Sequence, residues 1–474
     1  MTPQGPNLDP WYIMMLSEGL ASLNIFPRRS GPVHVEGRGY WHRIADALAE
    51  SRDGDVIRIQ PGDYVETLVI RKNVAIAAAK SGVRIVGTKN EPVIRVEAEA
   101  TLTGIEVVSA AQVRELEAVA VRGGRLTLQS CSIRSTCAGV TAAGSGSFLR
   151  LTGCRVMDTG ANAVVFANGA EGECEETGIE RVAGIGILVA GPGAQVHVQR
   201  SGIRNTTGFG MQVRDGATAT VLITSFADCQ MSAFACRDPE TRVQFHENQV
   251  HDAGDHGVEV GDCPKAIITG NRIDRTRLSG ISVYGPSSRA TVASNFITNS
   301  GGHAIQVIEG ASAEVRDNLI ADALAAGVAV GEPGTRAVIE GNQVARVAAG
   351  VQVVNQGWAD IRKNKIDSTG HCIYVRGPES FARVVTNQLS SPVPEDMPED
   401  GPGATFRVAA GEIAVVFVHK KGAAVVQGNE LVGGKAPIAW ITGASVETEG
   451  NVQRTGDILH EARTGQYFSE DVFK

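Results

Sequence analysis

One side chain recurs along much of this sequence at a nearly constant interval. Asn248, Asn271, Asn295, Asn318, Asn342, Asn364 and Asn387 follow one another 22 to 24 residues apart, and Cys131, Cys154, Thr177, Ser201 and Thr224 continue the series upstream. Two residues after each asparagine stands an aliphatic residue: Val250, Ile273, Ile297, Ile320, Val344, Ile366 and Leu389. About seven residues further on, a small residue opens a second alternating pair, as in Gly257-Val258-x-Val260 and Gly280-Ile281-x-Val283. A unit this short, alternating with period two, cannot bury its apolar face alone, so copies must stack into a solenoid of short strands. A turn of ~23 residues accommodates three strands, each hydrogen-bonded to its equivalent in the next turn at ~4.8 Å. An asparagine recurring at one corner can then bond its amide to the corners above and below, forming an asparagine ladder that satisfies backbone groups left unpaired by the bend.

Composition agrees with such a core and narrows the partners. Aromatic residues make up only 5% of the chain while 56 residues are glycine, so the interior is built from Val, Ile, Leu and Ala between many turns. The formal net charge is -8 and no Lys/Arg run carries interleaved aromatics. Nucleic acid and anionic membrane surfaces are therefore not expected as partners. The eight cysteines show no CxxC spacing and sit within apolar alternation, which reads as reduced core thiols. Residues 11–16 form an apolar run without a basic segment before it or a small-residue cleavage site after it, and no stretch reaches the ~18 apolar residues of a membrane helix. The expected location is cytoplasmic.

The entry to the repeats is specific enough to suggest a family. Trp41-His42-Arg43-Ile44-Ala45-Asp46-Ala47-Leu48 reads as an amphipathic helix, followed by Gly54-Asp55-Val56-Ile57-Arg58-Ile59-Gln60-Pro61-Gly62-Asp63-Tyr64 and Val65-Glu66-Thr67-Leu68-Val69-Ile70. This order resembles the start of right-handed parallel β-helix proteins of the pectate-lyase-like superfamily. The resemblance implies an all-β, right-handed, single-stranded parallel β-helix over residues 35–452, with the helix at 40–51 closing one end. Residues 1–34 form an N-terminal extension, with helical spacing at 11–23, and residues 453–474 form a C-terminal cap. The proline- and acid-rich segment 391–403 interrupts the period and is expected as a mobile loop. The superfamily includes lyases, hydrolases, esterases, epimerases and non-catalytic domains, so fold leaves function open.

Subtracting turn and core positions exposes the candidate chemistry. His256, Ser279 and His303 precede the small residue in successive turns, with His371 further along. The next strand presents Gln212, Ala235, Glu259, Ser282, Gln306, Ala329, Gln352 and Tyr374 in one outward column, and Arg214, Tyr284 and Arg376 in another. Polar and aromatic side chains in such a row can hold a polysaccharide or another polar polymer. β-Elimination or epimerisation of a uronate needs a base, an acid and a carboxylate-neutralising group. His256, His303, Tyr284 and Glu259 are the candidate catalytic residues, and Arg275, Arg277, Gln306 and Ser282 the candidate substrate-binding ones. Histidines stacked at this spacing are too far apart to share a zinc ion. Asp252, Asp255 and Asp262 could hold calcium, but acids at solvated turns are the simpler reading, so no cofactor is expected. Asp252 with Arg275, and Asp322 with Arg346, read as cross-turn ion pairs. The first functional expectation is a polysaccharide lyase or uronate epimerase working around residues 237–310. The alternative is a non-catalytic scaffold that binds a glycan or a protein partner.

Overall fold

The computed structural model describes residues 31–113, 116–391, 414–433, 436–441, 443–455, 458–461 and 467–468. The expected helix at 11–23 and all but Ser391 of the segment 391–403 lie outside these residues, as does most of the C-terminal tail. The chain forms two compact units, residues 1–231 and 232–474. Each is a coil of short parallel strands running through three faces, here called A, B and C. In unit 2 a turn consists of Arg242–His246 on A, Gln249–Ala253 on B and Val258–Gly261 on C; the next consists of Lys265–Thr269, Arg272–Thr276 and Ile281–Tyr284. Strands pair in parallel with equivalent residues opposite one another: Val243 with Ala266, Val250 with Ile273, and Val258 with Ile281. The inward column Val258, Ile281, Ile305, Val328, Val351 and Ile373 is 0% exposed throughout. Burying each such side chain stabilises by about 1.5–3 kcal/mol, which is why the period-two alternation dictates the coil.

The repeated asparagines stack at the corner between faces A and B. The backbone N–H of Asn271 donates to Asn295 Oδ1 at 3.0 Å, that of Asn295 to Asn318 at 2.9 Å, and that of Asn318 to Asn342 at 2.9 Å. Each Nδ2 also donates to a carbonyl in the preceding turn, as Asn318 does to Val292 at 2.9 Å. The stack steps over the 391–403 segment, since Asn387 N–H donates to Asn429 Oδ1 at 2.9 Å, and it ends with Asn451. In unit 1 hydroxyl and thiol groups take the same place: Thr177 N–H donates to Ser201 Oγ at 3.1 Å, and Cys154 Sγ reaches the Leu128 carbonyl at 3.2 Å.

Two further regularities set the side-chain directions. The residue before each stacked asparagine has positive φ, as at Glu247, Gly270, Ser294, Asp317 and Gly341. So do Asp252, Arg275 and Asn299, each the last residue but one of its B strand, and Asp322 and Arg346, each just past the end of its own. These B residues sit in left-handed bulges, which explains the short polar side chains among them. The expected ion pairs are present there, Asp252 with Arg275 at 2.8 Å and Asp322 with Arg346 at 2.6 Å. Both pairs are largely solvated and contribute little stability.

Unit 1 carries a shorter helix than expected near its start, since Gly39–Trp41 is a strand. The helix Ile44–Glu50 buries Ile44, Ala47 and Leu48, and both oxygens of Glu66 accept its first N–H groups, from Ile44 and Ala45, at 2.9 Å. The strand Val33–Val35 pairs antiparallel with Val56–Ile59. In unit 2 Ile458–Glu461 turns back antiparallel on Val452–Thr455. All eight cysteines are buried free thiols.

Candidate functional site

The C face of unit 2 carries most of the residues singled out above, in the register expected of them. Ala235, Glu259, Ser282, Gln306, Ala329, Gln352 and Tyr374 stand opposite one another from turn to turn. The column expected to face outward is partly buried, since Glu259 is 5% and Ser282 2% exposed. Glu259 is met by side chains of the neighbouring column, in which Arg237, Gly261 and Tyr284 are in register. Gly261 has no side chain, and the Tyr284 ring occupies the space where one would be: a Cβ there would come within 2.5 Å of it. The ring thereby reaches back one turn, and Tyr284 Oη donates to Glu259 Oε1 at 2.6 Å. From the other side Arg237 donates to the same oxygen through Nε at 3.0 Å and Nη2 at 2.5 Å. Ser232 Oγ donates to Oε2 at 2.9 Å.

The electrostatics follow from this packing. Burial, reinforced by the Glu259 carboxylate, holds the Tyr284 hydroxyl well above the ordinary phenol range, so it stays protonated as a donor. Burial works against the charge of Arg237, but attraction to Glu259 outweighs it and raises the guanidinium further. The histidines are tied to the backbone. Ser279 N–H donates to His256 Nδ1 at 3.2 Å, and Ala326 N–H donates to His303 Nδ1 at 3.1 Å. In the preceding turn Ser232 is the acceptor, its Oγ taking the His256 N–H at 3.4 Å. Burial lowers the pKa of His256, against the pull of Glu259 and Asp255, and lowers that of His303 to about 4. Each ring is thus neutral with Nδ1 accepting, which leaves the proton on Nε2. In that tautomer the rings offer donors to a ligand, and neither nitrogen is free to take a proton. Ser279, itself buried, donates through Oγ to Gln306 Oε1 at 3.1 Å.

The structure does not bring the two predicted carboxylate binders to this face. Arg275 lies in the B-face bulge and is engaged by Asp252 and Asp274. Arg277 sits on the turn, held by Asp255 at 2.6 Å and by the Gly254 carbonyl. The aspartates considered for calcium are occupied by the same pairs, and the Asp252 carboxyl is held far below its usual range by Arg275 and then His251. Asp262 instead accepts from Ser287 N–H at 3.3 Å. Among the described residues no group of three or more His, Cys, Asp or Glu is arranged to hold a metal ion. Sequence reasoning missed Arg237 and Ser232. Both were within reach of it, since Arg237 falls in the column of Tyr284, and Ser232 one period before His256.

Residues 232–389 match the family model described as a right handed beta helix region. Unit 2 is a right-handed parallel β-helix. No curated protein matches the chain in sequence. Among solved structures, the periplasmic alginate epimerase AlgG is 13% identical with a TM-score of 0.35, over 94% of this chain and 98% of that one. The Azotobacter vinelandii mannuronan C-5 epimerase AlgE4 A-module is 13% identical with a TM-score of 0.43, over 70% and 92%. The alginate lyase AlyF-OU02, in complex with G6, is 12% identical with a TM-score of 0.35, over 73% and 81%.

Proposed function

We propose that the C face of unit 2, from Arg237 to Gln306, is a glycan-recognition site, and that its role is binding rather than proton abstraction. The observation that carries this reading is the buried Glu259 carboxylate. Its column holds Ala235 and Ala329 elsewhere, so the coil does not require a charge there. A buried ion pair adds little stability over apolar packing of the same volume, which favours a functional reason for its presence. The cluster of Glu259, Arg237, Tyr284 and Ser232 balances one negative against one positive charge. With Gln306 and the Nε2–H groups of His256 and His303 beside it, it offers directional donors and acceptors suited to sugar hydroxyls. A protein-docking face would instead call for a contiguous apolar patch. Lyase or epimerase chemistry would need an available base; neither the two imidazoles nor the protonated Tyr284 supplies one, and the Glu259 carboxylate is engaged by Tyr284, Arg237 and Ser232.

The test is binding of neutral and acidic polysaccharides by the full chain, with parallel assays for unsaturated products and for exchange of the C5 proton in heavy water. Binding without either product is the expected result. Tyr284→Phe and Arg237→Gln are each expected to weaken it about tenfold, the worth of one good hydrogen bond. Appearance of unsaturated sugar or C5 exchange, abolished by His256→Ala or His303→Ala, would restore the enzymatic reading. Undiminished binding in both the Tyr284 and Arg237 variants would move the site elsewhere.

A further inference from the structure

The A face of unit 2 carries a groove of about 410 Å³ lined by two outward columns. In the first, the pairing of Ala266 with Ala290 sets Lys265 beside Arg289, and Ser312, Arg336 and Trp358 follow in register. In the second, two residues further along each strand, Ile267, Thr291, Glu314 and Val338 stand opposite one another. The strands from Lys265–Thr269 to Trp358–Arg362 are each paired on both sides. This face therefore offers a partner side chains and no free strand edge to extend.

Lys265, Arg289 and Arg336 are exposed, and among the described residues none of them forms an ion pair with a carboxylate. On the B face of the same unit Arg275 and Arg346 are matched with Asp252 and Asp322. The unmatched set occurs in a chain of net charge -8, where acids are in excess. Two of the three are held in place. Arg289 donates to the Pro286 and Ser288 carbonyls at 3.1 and 2.9 Å, and the Arg336 guanidinium lies 5.8 Å from the Trp358 ring centre. Arginine and tryptophan arranged in advance beside the aliphatic Ile267 and Val338 have the composition of a protein-binding hot spot.

The order of charges along the groove selects the kind of partner. Glu314 lies in the turn between those of Arg289 and Arg336 and is paired only loosely, with Arg316 at 4.0 Å. Its carboxylate repels a polymer that is negative at every unit. A polypeptide can set acids opposite the cations and a different residue opposite Glu314, because its sequence is not uniform. A single-stranded nucleic acid would also need an open aromatic face for its bases, whereas the Trp358 ring has Arg336 over it and is stacked with Phe381 at 6.2 Å. We propose that this groove docks an acidic segment of a partner protein, with Asp or Glu against Lys265, Arg289 and Arg336, apolar side chains against Ile267, Val338 and Trp358, and no acid opposite Glu314. The groove is separate from the C-face site and does not depend on it.

The experiment pans a phage-displayed library of random peptides on the full chain and measures the affinity of the enriched peptides, made synthetically, by fluorescence anisotropy. The enriched peptides are expected to combine Asp or Glu with aliphatic or aromatic residues and to bind more weakly as salt rises. Poly-L-glutamate and oligothymidylate, negative at every unit, should bind at least about tenfold less tightly, and Glu314→Gln should narrow that gap for polyglutamate. The triple variant Lys265→Gln, Arg289→Gln, Arg336→Gln should lose at least about tenfold in peptide affinity with its melting temperature unchanged, and Lys265→Gln or Arg336→Gln alone should lose part of it. Tyr284→Phe should leave peptide binding intact. The proposal is overturned if no peptide is enriched, if the enriched peptides carry no excess of acids, or if they bind the single and triple variants as well as the parent. Tighter binding of oligothymidylate than of any peptide, lost in the same variants, would assign the groove to nucleic acid and refute the protein partner.

Discussion

Single residues at the A–B corner hold adjacent turns together. Asn318 is 1% exposed, and its amide bonds to the turns on both sides. Leucine fills similar volume but leaves the Asn295 N–H and the Val292 carbonyl without these partners. Asn318→Leu should therefore cost about 1–3 kcal/mol, read as a fall in the denaturant midpoint. The position just before this stack makes the opposite prediction. Ile223 adopts φ 48° while 56% exposed, a left-handed backbone that a β-branched side chain tolerates poorly and no burial rewards. Ile223→Asn should stabilise unit 1 by about 1 kcal/mol, and an unchanged or lowered melting temperature would argue against strain there. The asparagine stack was legible because identity and interval both repeat. The positive φ beside it was not, since glycine alternates there with Glu, Ser, Asp, Lys and Thr, and no single residue type marks the bend.

Within an element, register decides what a side chain can reach. The strand Val258–Gly261 pairs with Ile281–Tyr284 so that Gly261 faces Tyr284. Only a bare Cα lets the ring lie across it to Glu259. In Gly261→Ala the added Cβ would meet the ring at 2.5 Å, so the ring must swing outward and release the carboxylate. We expect the phenol to titrate at lower pH than in the parent, followed by its absorbance change, together with weaker glycan binding. An unshifted titration would show that Tyr284 does not depend on this gap. The Glu259, Ser282, Gln306 column could be written from the sequence, as could the row of His256, Ser279 and His303. The bonds between them could not, because Arg237 and Tyr284 lean along the coil axis, a direction that alternation does not encode.

At the scale of a whole unit, buried imidazoles give unit 2 a pH response. Burial lowers His303 and His371 from 6.5 to about 4, the Ala414 carbonyl partly opposing this at His371. Between these values the unfolded chain binds more protons than the folded one, so their contribution is complete above about pH 6.5 and is lost as pH falls toward 4. The aspartates held below their usual range by arginine act only lower, and Glu117, whose carboxyl is raised by burial, lies in unit 1, so denaturant melts of unit 2 between pH 7 and 4.5 report on the histidines. Stability should fall through that window and fall less steeply in His303→Gln; a flat profile would refute it. What the sequence determined by itself was the coil: a period of about 23, inward aliphatics and a polar corner are local patterns with one stacked solution. What only the tertiary structure decided was which outward side chains meet. The B-face bulge holds Arg275 among aspartates, and Gly261 admits Tyr284 to Glu259. Each depends on neighbours a full turn away, where register and side-chain lean, not sequence proximity, bring charges together.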